Sequence, residues 1–216
     1  MKKIMAIAAL LVSVAAAGQD FGGWQMPKIE MNYSEKFADV NYAAEYKFDP
    51  TFVATSGFSS GGHLASLAAT SNGVMKLEGK VGDNLAYSSL VNAACDWSGP
   101  VDMFHMDCAG DRGEGASAPE EAVMGFPIKG NEERFAALNA TSYIDANDVP
   151  VAIFHGNADN VVPGCVGVWF YECLQKAGVD SELTVVEGGG HGMNMYSKEN
   201  LDKMVAFLNR VRTENN

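Results

Sequence analysis

One serine in the chain is flanked by glycines in a pattern that can produce a nucleophile. Gly57-Phe58-Ser59-Ser60-Gly61 has the spacing G-x-S-x-G. In this pattern the serine occupies a strained turn between a strand and a helix, and the glycines allow close backbone approach. The turn directs Oγ away from the sheet, and the N-terminus of the next helix points at the reaction centre. An ordinary Gly/Ser turn has a similar sequence, so the prediction depends on a preceding strand and a following helix.

Two later segments supply a carboxylate and an imidazole that fit the same chemistry. Asp159 ends the run 155–159 (HGNAD), and His191 lies within the run 188–192 (GGGHG). An imidazole can take the proton of an attacking serine hydroxyl, and a carboxylate can hold that imidazole in the required tautomer. We therefore predict Ser59 as nucleophile, His191 as base and Asp159 as the residue that orients His191. A solvated turn aspartate and a loop histidine without a partner are the alternatives.

The chain has four histidines, and three of them are poorer candidates for the base. His63 falls on the helix expected after the serine and points away from it, and His105 lies in an irregular stretch. His155 ends a predicted apolar strand and is expected to be buried and structural. His191 also satisfies the order serine, aspartate, histidine that this kind of serine turn uses.

The elements that must position these residues alternate between strand and helix from residue 52 onward. The predicted strands are 52–56, 91–97, 149–154 and 182–187, and the predicted helices are 63–70, 132–138, 166–177 and 198–211. Continuous apolar strands separated by helices predict an α/β fold with a mostly parallel sheet flanked by helices. Ligands bind such sheets at the carboxyl ends of the strands, where Ser59, Asp159 and His191 all fall.

The first seventeen residues have the three-part pattern of a signal peptide. Lys2 and Lys3 form a positive start, 4–17 is uncharged and mostly apolar, and Ala15 to Ala17 form an A-x-A site. A transmembrane anchor needs roughly 20 apolar residues, so cleavage is favoured over anchoring. We expect an exported domain of about residues 18–216, periplasmic or extracellular.

Export would place the four cysteines where disulfides can form. Cys95 lies in an apolar run and reads as a buried thiol, and Cys165 and Cys173 share one helical stretch, eight residues apart, where they cannot easily bridge each other. A Cys108–Cys165 bridge is possible, but two bridges, one or none remain open. The cysteine and histidine spacing does not indicate a metal site, and no cofactor is predicted.

The composition excludes some partners. The formal charge is −12, and removal of the signal peptide takes two lysines with it and leaves −14. A surface with this negative charge repels phosphate backbones and anionic lipid. We therefore expect neither nucleic acid nor membrane as a partner. Apolar residues make up 47% of the chain, which is enough for a globular core.

The segment 57–65 (GFSSGGHLA) resembles the serine turn of small carbohydrate esterases in the α/β-hydrolase superfamily. These are acetylxylan- and feruloyl-esterase-like enzymes related to hormone-sensitive lipase. The segments 97–102 and 189–192 also resemble that family, as do 155–159 and the Val-Pro pair at 162–163, and the likeness covers about residues 45–210. It implies hydrolysis of short-chain or aromatic esters on plant polysaccharide, by Ser59, Asp159 and His191.

Three aromatic residues are weaker candidates for the substrate site. Trp97, Phe126 and Trp169 could line a sugar-binding surface beside the serine. Aromatic side chains fill cores more often than they line sites, so a buried position is the favoured interpretation for each.

The sequence departs from this family in the part that should complete the oxyanion hole. The N–H of Ser60 supplies one donor, and the other usually comes from an earlier loop with an H-G-G-type motif. Only about forty residues separate the signal peptide from the serine, and 21–24 (FGGW) is a faint match that no strand precedes. Removal of one donor from an oxyanion hole typically costs roughly 10²–10³-fold in rate.

An internal deletion explains this departure best. In the favoured interpretation 37–40 is the first strand, 44–49 ends the helix before the serine turn, and the join falls near 42–45. A block on the order of 80 residues would then be absent, and the truncated sheet would gain an uncovered edge. Alternatively, 33–48 is a single helix, because Tyr33, Phe37, Val40 and Ala44 recur at helical spacing.

Two other functions remain open at this level. A serine peptidase of the prolyl-oligopeptidase type shares the order of the three residues, but it normally carries a large extra domain for which this chain has no room. A truncated, catalytically inactive hydrolase module is the second alternative, and the incomplete oxyanion hole favours it.

Overall fold

A computed structural model of the chain describes residues 51–78, 88–110 and 119–214. The predicted signal peptide, the segment 21–24 and the expected join near 42–45 lie outside the described residues. Within these ranges the strands are β1 (Ala54–Phe58), β2 (Ala93–Trp97), β3 (Val151–Gly156) and β4 (Ser181–Val186). The α-helices are α1 (Ser60–Thr70), α2 (Met75–Glu78), α3 (Pro119–Met124), α4 (Glu132–Ala136), α5 (Gly164–Ala177) and α6 (Lys198–Glu214). Two 3₁₀ turns occupy Ala140–Tyr143 and Met193–Met195.

The four strands form one parallel sheet in the order β1-β2-β3-β4. Each of the three connections between these strands contains helix, as parallel pairing requires. All four carboxyl ends therefore lie at one edge of the sheet. The predicted α/β fold, a parallel sheet flanked by helices, is confirmed.

The two faces of the sheet build separate cores. On one face α1 and α5 cover alternate residues of the middle strands, such as Ala94, Val151 and Ile153. On the other face α6 packs against the intervening residues, such as Cys95 and Phe154. Because successive strand residues point to opposite faces, one apolar run serves both cores. This explains why β2 and β3 are apolar at nearly every position and fully buried.

Strand β1 is packed less completely than its neighbours. Every residue of β1 is half-buried, whereas every residue of β2 and β3 is buried. Within the described ranges, β1 has a strand partner on one side, β2. A strand on the other side of β1 would have to come from residues outside the described ranges, such as those before 51, so the uncovered edge stays a prediction.

The observed boundaries of the predicted strands and helices lie within three residues of the expected ones. Helix α1 begins at Ser60 rather than at 63, directly after the serine turn. Strand β3 extends through His155 and Gly156, which were predicted to end it, because both residues pair with β4. Helix α5 ends at Gly178 in the left-handed conformation, with φ of 84°, as the glycine there predicts.

The disulfide pairing that the sequence left open is Cys108–Cys165, with Cα atoms 6.1 Å apart. It joins the segment after β2 to the first turn of α5. Cys95 is a buried free thiol, as predicted, and Cys173 is also free. Among the helices of the described ranges, none has the length and apolar character needed to cross a membrane.

Candidate active site

The serine turn has the strained geometry that its sequence predicts. Ser59 has φ of 57° and ψ of −121°, a region that non-glycine residues rarely occupy. A Cβ on Gly57 would overlap the backbone carbonyl of Gly61, so the turn requires glycine at 57. The Ser59 N–H donates to the carbonyl of Trp97 at 2.8 Å, and the His63 N–H donates to the Ser59 carbonyl at 3.0 Å. These bonds fix Ser59 between β1 and α1.

The carboxylate of Asp159 is held in one orientation by hydrogen bonds on both oxygens. Its side chain is fully buried, and Oδ1 accepts the backbone N–H groups of Val161 and Val162, each at 2.9 Å. Oδ2 lies 2.8 Å from Nδ1 of His191. Burial by itself raises the pKa of Asp159, but the bonds from His191 and the two backbone groups outweigh it and lower that pKa. Asp159 is therefore an anion at neutral pH.

His191 lies between the other two residues and contacts both. Nε2 is 2.8 Å from Oγ of Ser59, and Nδ1 is 2.8 Å from Oδ2 of Asp159. The carboxylate can only accept, so Nδ1 carries the proton and Nε2 accepts the hydroxyl hydrogen of Ser59. The ring of Phe58 lies 4.7 Å from the imidazole, centroid to centroid, and covers one side of it. The structure thus brings together the three residues that the sequence selects, although they are 132 positions apart at most.

The remaining histidines make their hydrogen bonds or ring contacts elsewhere, although Nε2 of His155 also lies 4.0 Å from Oδ2 of Asp159. Nε2 of His63 is 2.7 Å from the carbonyl of Leu138, and Nε2 of His155 is 2.9 Å from the carbonyl of Val162. His155 is 1% exposed, and burial lowers its pKa, which keeps it neutral. His105 stacks on Trp169 with ring centroids 4.0 Å apart.

The three aromatic candidates are distributed differently. Trp97 is 1% exposed and stacks on Phe154 and Tyr196, so the suggestion that it lines a sugar site is wrong. Its position on β2 points it into the core under α6. Phe126 and Trp169 are half-buried. Phe126 lies beneath the guanidinium of Arg134, and Trp169 stacks on His105.

A buried carboxyl lies beneath the serine turn, where sequence patterns do not single it out. Asp96 is fully buried in β2, where Oδ1 accepts the N–H of Gly99 at 2.8 Å and Oδ2 accepts the hydroxyl of Ser66 at 3.1 Å. A Cβ on either Gly62 or Gly99 would overlap Oδ1. Burial raises the pKa of Asp96 to about 7, against the opposing effect of those two hydrogen bonds. Asp96 therefore ties α1 to the end of β2. The sequence signal that could have indicated this role is a carboxyl residue inside an apolar run.

No group of three or more His, Cys, Asp or Glu side chains in the described ranges could hold a metal ion. The arrangement can abstract a proton from a serine hydroxyl and return it to a leaving group.

A parallel sheet with a serine on its strand-to-helix turn, followed by an aspartate and a histidine after later strands, defines a fold of the α/β-hydrolase type. The sequence matches the BD-FAE family over residues 37–174, which is more than half of the chain. The chain belongs to the BD-FAE family.

Similar proteins are esterases by name. Esterase LipQ of Mycobacterium tuberculosis (strain ATCC 25618 / H37Rv) is 31% identical over 137 residues, which are 62% of this chain and 31% of that protein. A bifunctional GH43-CE structure from Bacteroides eggerthii is 41% identical with a TM-score of 0.72, and the match covers 79% of this chain and 23% of that one. A truncated form of a carbohydrate esterase from gut microbiota is 34% identical with a TM-score of 0.73, over 80% of this chain and 64% of that one. The chain therefore spans about a third of its curated relative.

Proposed function

We propose that this chain is a serine esterase that hydrolyses carboxylic esters through Ser59, His191 and Asp159. The observation that carries the proposal is the pair of 2.8 Å contacts that His191 makes, one with the serine hydroxyl and one with the buried aspartate. A neutral imidazole with its proton on Nδ1 has a free lone pair at Nε2, which is the acceptor that a serine nucleophile needs.

Acylation follows from this geometry. Oγ of Ser59 attacks the ester carbonyl carbon while its proton passes to Nε2 of His191, and Asp159 stabilises the imidazolium without taking a proton. The carbonyl oxygen becomes an oxyanion near the N-terminus of α1, where we expect the N–H of Ser60 to donate to it. Collapse of this intermediate breaks the ester C–O bond, and the imidazolium protonates the departing alcohol.

Deacylation repeats the same steps with water. Nε2 of His191 takes a proton from a water molecule, whose oxygen attacks the acyl carbon bound to Ser59. The second intermediate releases the carboxylic acid and returns the proton to Oγ. These steps use only side chains, backbone groups and water, so no cofactor is part of the proposal. Because the predicted deletion removes the loop that supplies the second oxyanion donor, we expect turnover roughly 10²–10³-fold below that of a two-donor site.

The proposed substrates are short-chain or aromatic esters on plant polysaccharide. Support comes from the resemblance of the serine turn to carbohydrate esterases and from two similar structures whose names contain carbohydrate esterase or CE. We further propose export by residues 1–17, followed by action without nucleic acid or membrane partners. The Cys108–Cys165 disulfide supports export, because such bonds persist in oxidising compartments.

Hydrolysis of p-nitrophenyl acetate and of acetylated xylan by the full chain tests the proposal. We expect S59A to abolish release of acetate and D159N to lower kcat on the order of 10⁴-fold. S71A is the matched control, because Ser71 lies at the far end of α1 and donates to the carbonyl of Leu67. Equal rates for S59A and the wild type would contradict the proposal, and a folded wild type with no activity would favour the inactive module.

A further inference from the structure

The loop that carries His191 is poor in side chains that could fix its position. Residues 188, 189, 190 and 192 are all glycine, and Gly188 has φ of 66°. A loop of this composition loses much conformational entropy on ordering. The position of the imidazole must therefore be set by contacts that this loop makes with other parts of the chain.

The neighbouring loop after β3 supplies these contacts through Asn157. Nδ2 of Asn157 donates to Oε2 of Glu187 at 2.7 Å, and Oδ1 of Asn157 accepts the N–H of Gly188 at 2.8 Å. The same amide thus holds both residues at the start of the histidine loop. Asn157 lies two residues before Asp159, so this bridge joins the loop that carries His191 to the loop that carries Asp159.

The backbones of the two loops also approach closely beside this bridge. The N–H of Ala158 donates to the carbonyl of Gly189 at 2.9 Å, and a Cβ on Gly156 would overlap Gly189. Glycine at 156 and 189 lets the two loops touch. The Asn157 amide then fixes the position of the loop that carries His191 relative to this point of contact. A displacement of about 1 Å in a reacting group can cost on the order of 10²-fold in rate, so this restraint bears directly on catalysis.

We propose that Asn157 is a positioning residue that sets the contact between His191 and Asp159 by bridging Glu187 and Gly188. The inference rests on the proposed esterase function. Asn157 does not touch the reacting atoms; it acts through the loop that holds the base. Asn157 and Glu187 are both exposed, so the bridge lies outside the two cores.

The first test compares two asparagines that contact the same glycine. N157A removes both bonds of the bridge and is expected to lower kcat for p-nitrophenyl acetate about tenfold, with KM within about twofold. N194A is the matched control, because Asn194 donates to the carbonyl of Gly188 at 3.3 Å from within the same loop. N194A is expected to stay within about twofold of the wild type in kcat. Equal losses in both variants, or an unchanged kcat in N157A, would overturn the proposal.

The second test exchanges the two partners of the bridge. N157D keeps an acceptor for Gly188 but sets a carboxylate against that of Glu187, and like charges at hydrogen-bond distance repel. E187Q in the same chain supplies an amide donor to the new carboxylate and restores the bond with reversed polarity. The double variant N157D/E187Q is expected to recover most of the kcat that N157D loses. A double variant no faster than N157D would count against the bridge.

A spectroscopic measurement separates failure of this inference from failure of the proposed function. The hydrogen-bonded Nδ1 proton of His191 gives a downfield proton resonance, which S59A retains because it does not depend on hydrolysis. We expect N157A, in the S59A background, to broaden or lose this resonance while N194A keeps it. Loss in N157A would support the positioning role even if the wild type hydrolyses no ester. An unchanged resonance would overturn the positioning role, even if loss of activity in S59A establishes that the wild type is an esterase.

Discussion

Strands β1 and β3 both deliver residues to the active site, yet they are embedded in the molecule very differently. All six residues of β3 are buried between β2 and β4, with helices on both faces. All five residues of β1 are half-buried, and β1 has one strand partner among the described residues. The nucleophile follows the less covered strand, and the aspartate follows the more covered one.

The difference shows that positioning and stability come from different parts of the sheet. Ser59 is fixed by a close glycine contact at Gly57 and by backbone bonds to Trp97 and His63, all at the carboxyl end of β1. These contacts do not require the middle of the strand to be covered. The buried area that stabilises the fold instead lies around β2, β3, α5 and α6.

The largest expected effect contrasts these two regions directly. F170A removes a fully buried ring from the core face of α5 and should lower the free energy of unfolding by about 3–5 kcal/mol. V53A, next to β1, removes a side chain that is 47% exposed and should cost less than about 1 kcal/mol. Urea unfolding followed by circular dichroism measures both. A loss for V53A as large as that for F170A would mean that the edge beside β1 is covered.

The disulfide sharpens the same comparison, because it ties the segment after β2 to α5 across 57 residues of sequence. The double variant C108S/C165S should lose about 2–4 kcal/mol of stability. Neither cysteine is one of the active-site residues, so kcat for p-nitrophenyl acetate under folding conditions should be unchanged. C173S, which removes a free thiol of α5, is the control and should respond to reductant as the wild type does. A reductant-insensitive wild type would contradict this prediction.

A smaller effect, dependent on pH, is expected at Asp96, which joins α1 to the end of β2. Its pKa in the folded protein, about 7, lies above its ordinary value of 3.8, so between these two pH values the folded state binds more protons than the unfolded state. Stability contributed by Asp96 is therefore greatest at low pH and is lost as the pH rises towards 7. D96N keeps an acceptor for Gly99 and removes the ionisation. The free energy of unfolding of D96N, relative to that of the wild type, should therefore rise by roughly 2 kcal/mol between pH 5 and pH 8.

Urea unfolding of both proteins at each pH measures this difference, in which the other titrating groups cancel. A difference in stability between wild type and D96N that is constant from pH 5 to pH 8 would show that Asp96 does not ionise in this range. Such a result would leave the geometric role of Asp96 in place and remove its electrostatic cost.

Sequence patterns predicted the parts of this molecule that depend on local signals. Strands β2 and β3 are apolar at nearly every position, and each predicted strand ends at or near a glycine. Ser59, Asp159 and His191 each follow a strand, so their meeting at one edge followed from the parallel sheet. The strand ends were missed by about two residues, because His155 and Gly156 are strand residues only through their pairing with β4.

Features that depend on contacts between distant elements were not predictable. Asp96 acts through contacts with Ser66 and Gly99, and Asn157 acts through a contact with Gly188. Sequence patterns do not indicate which of these residues lie close together in the fold. Trp97 was a candidate for the substrate site because the sequence does not fix which face of β2 it occupies. The internal deletion falls before residue 51 and stays a prediction.

The central claim is that Ser59 is a nucleophile activated by His191. Reaction of the purified full chain with a fluorophosphonate, followed by mass spectrometry of the intact protein and its peptides, tests it most directly. The account predicts a single adduct on the peptide that contains Ser59, no adduct in S59A, and a strongly slowed reaction in H191A. A folded wild type that forms no adduct, or an adduct that persists in S59A, would contradict it.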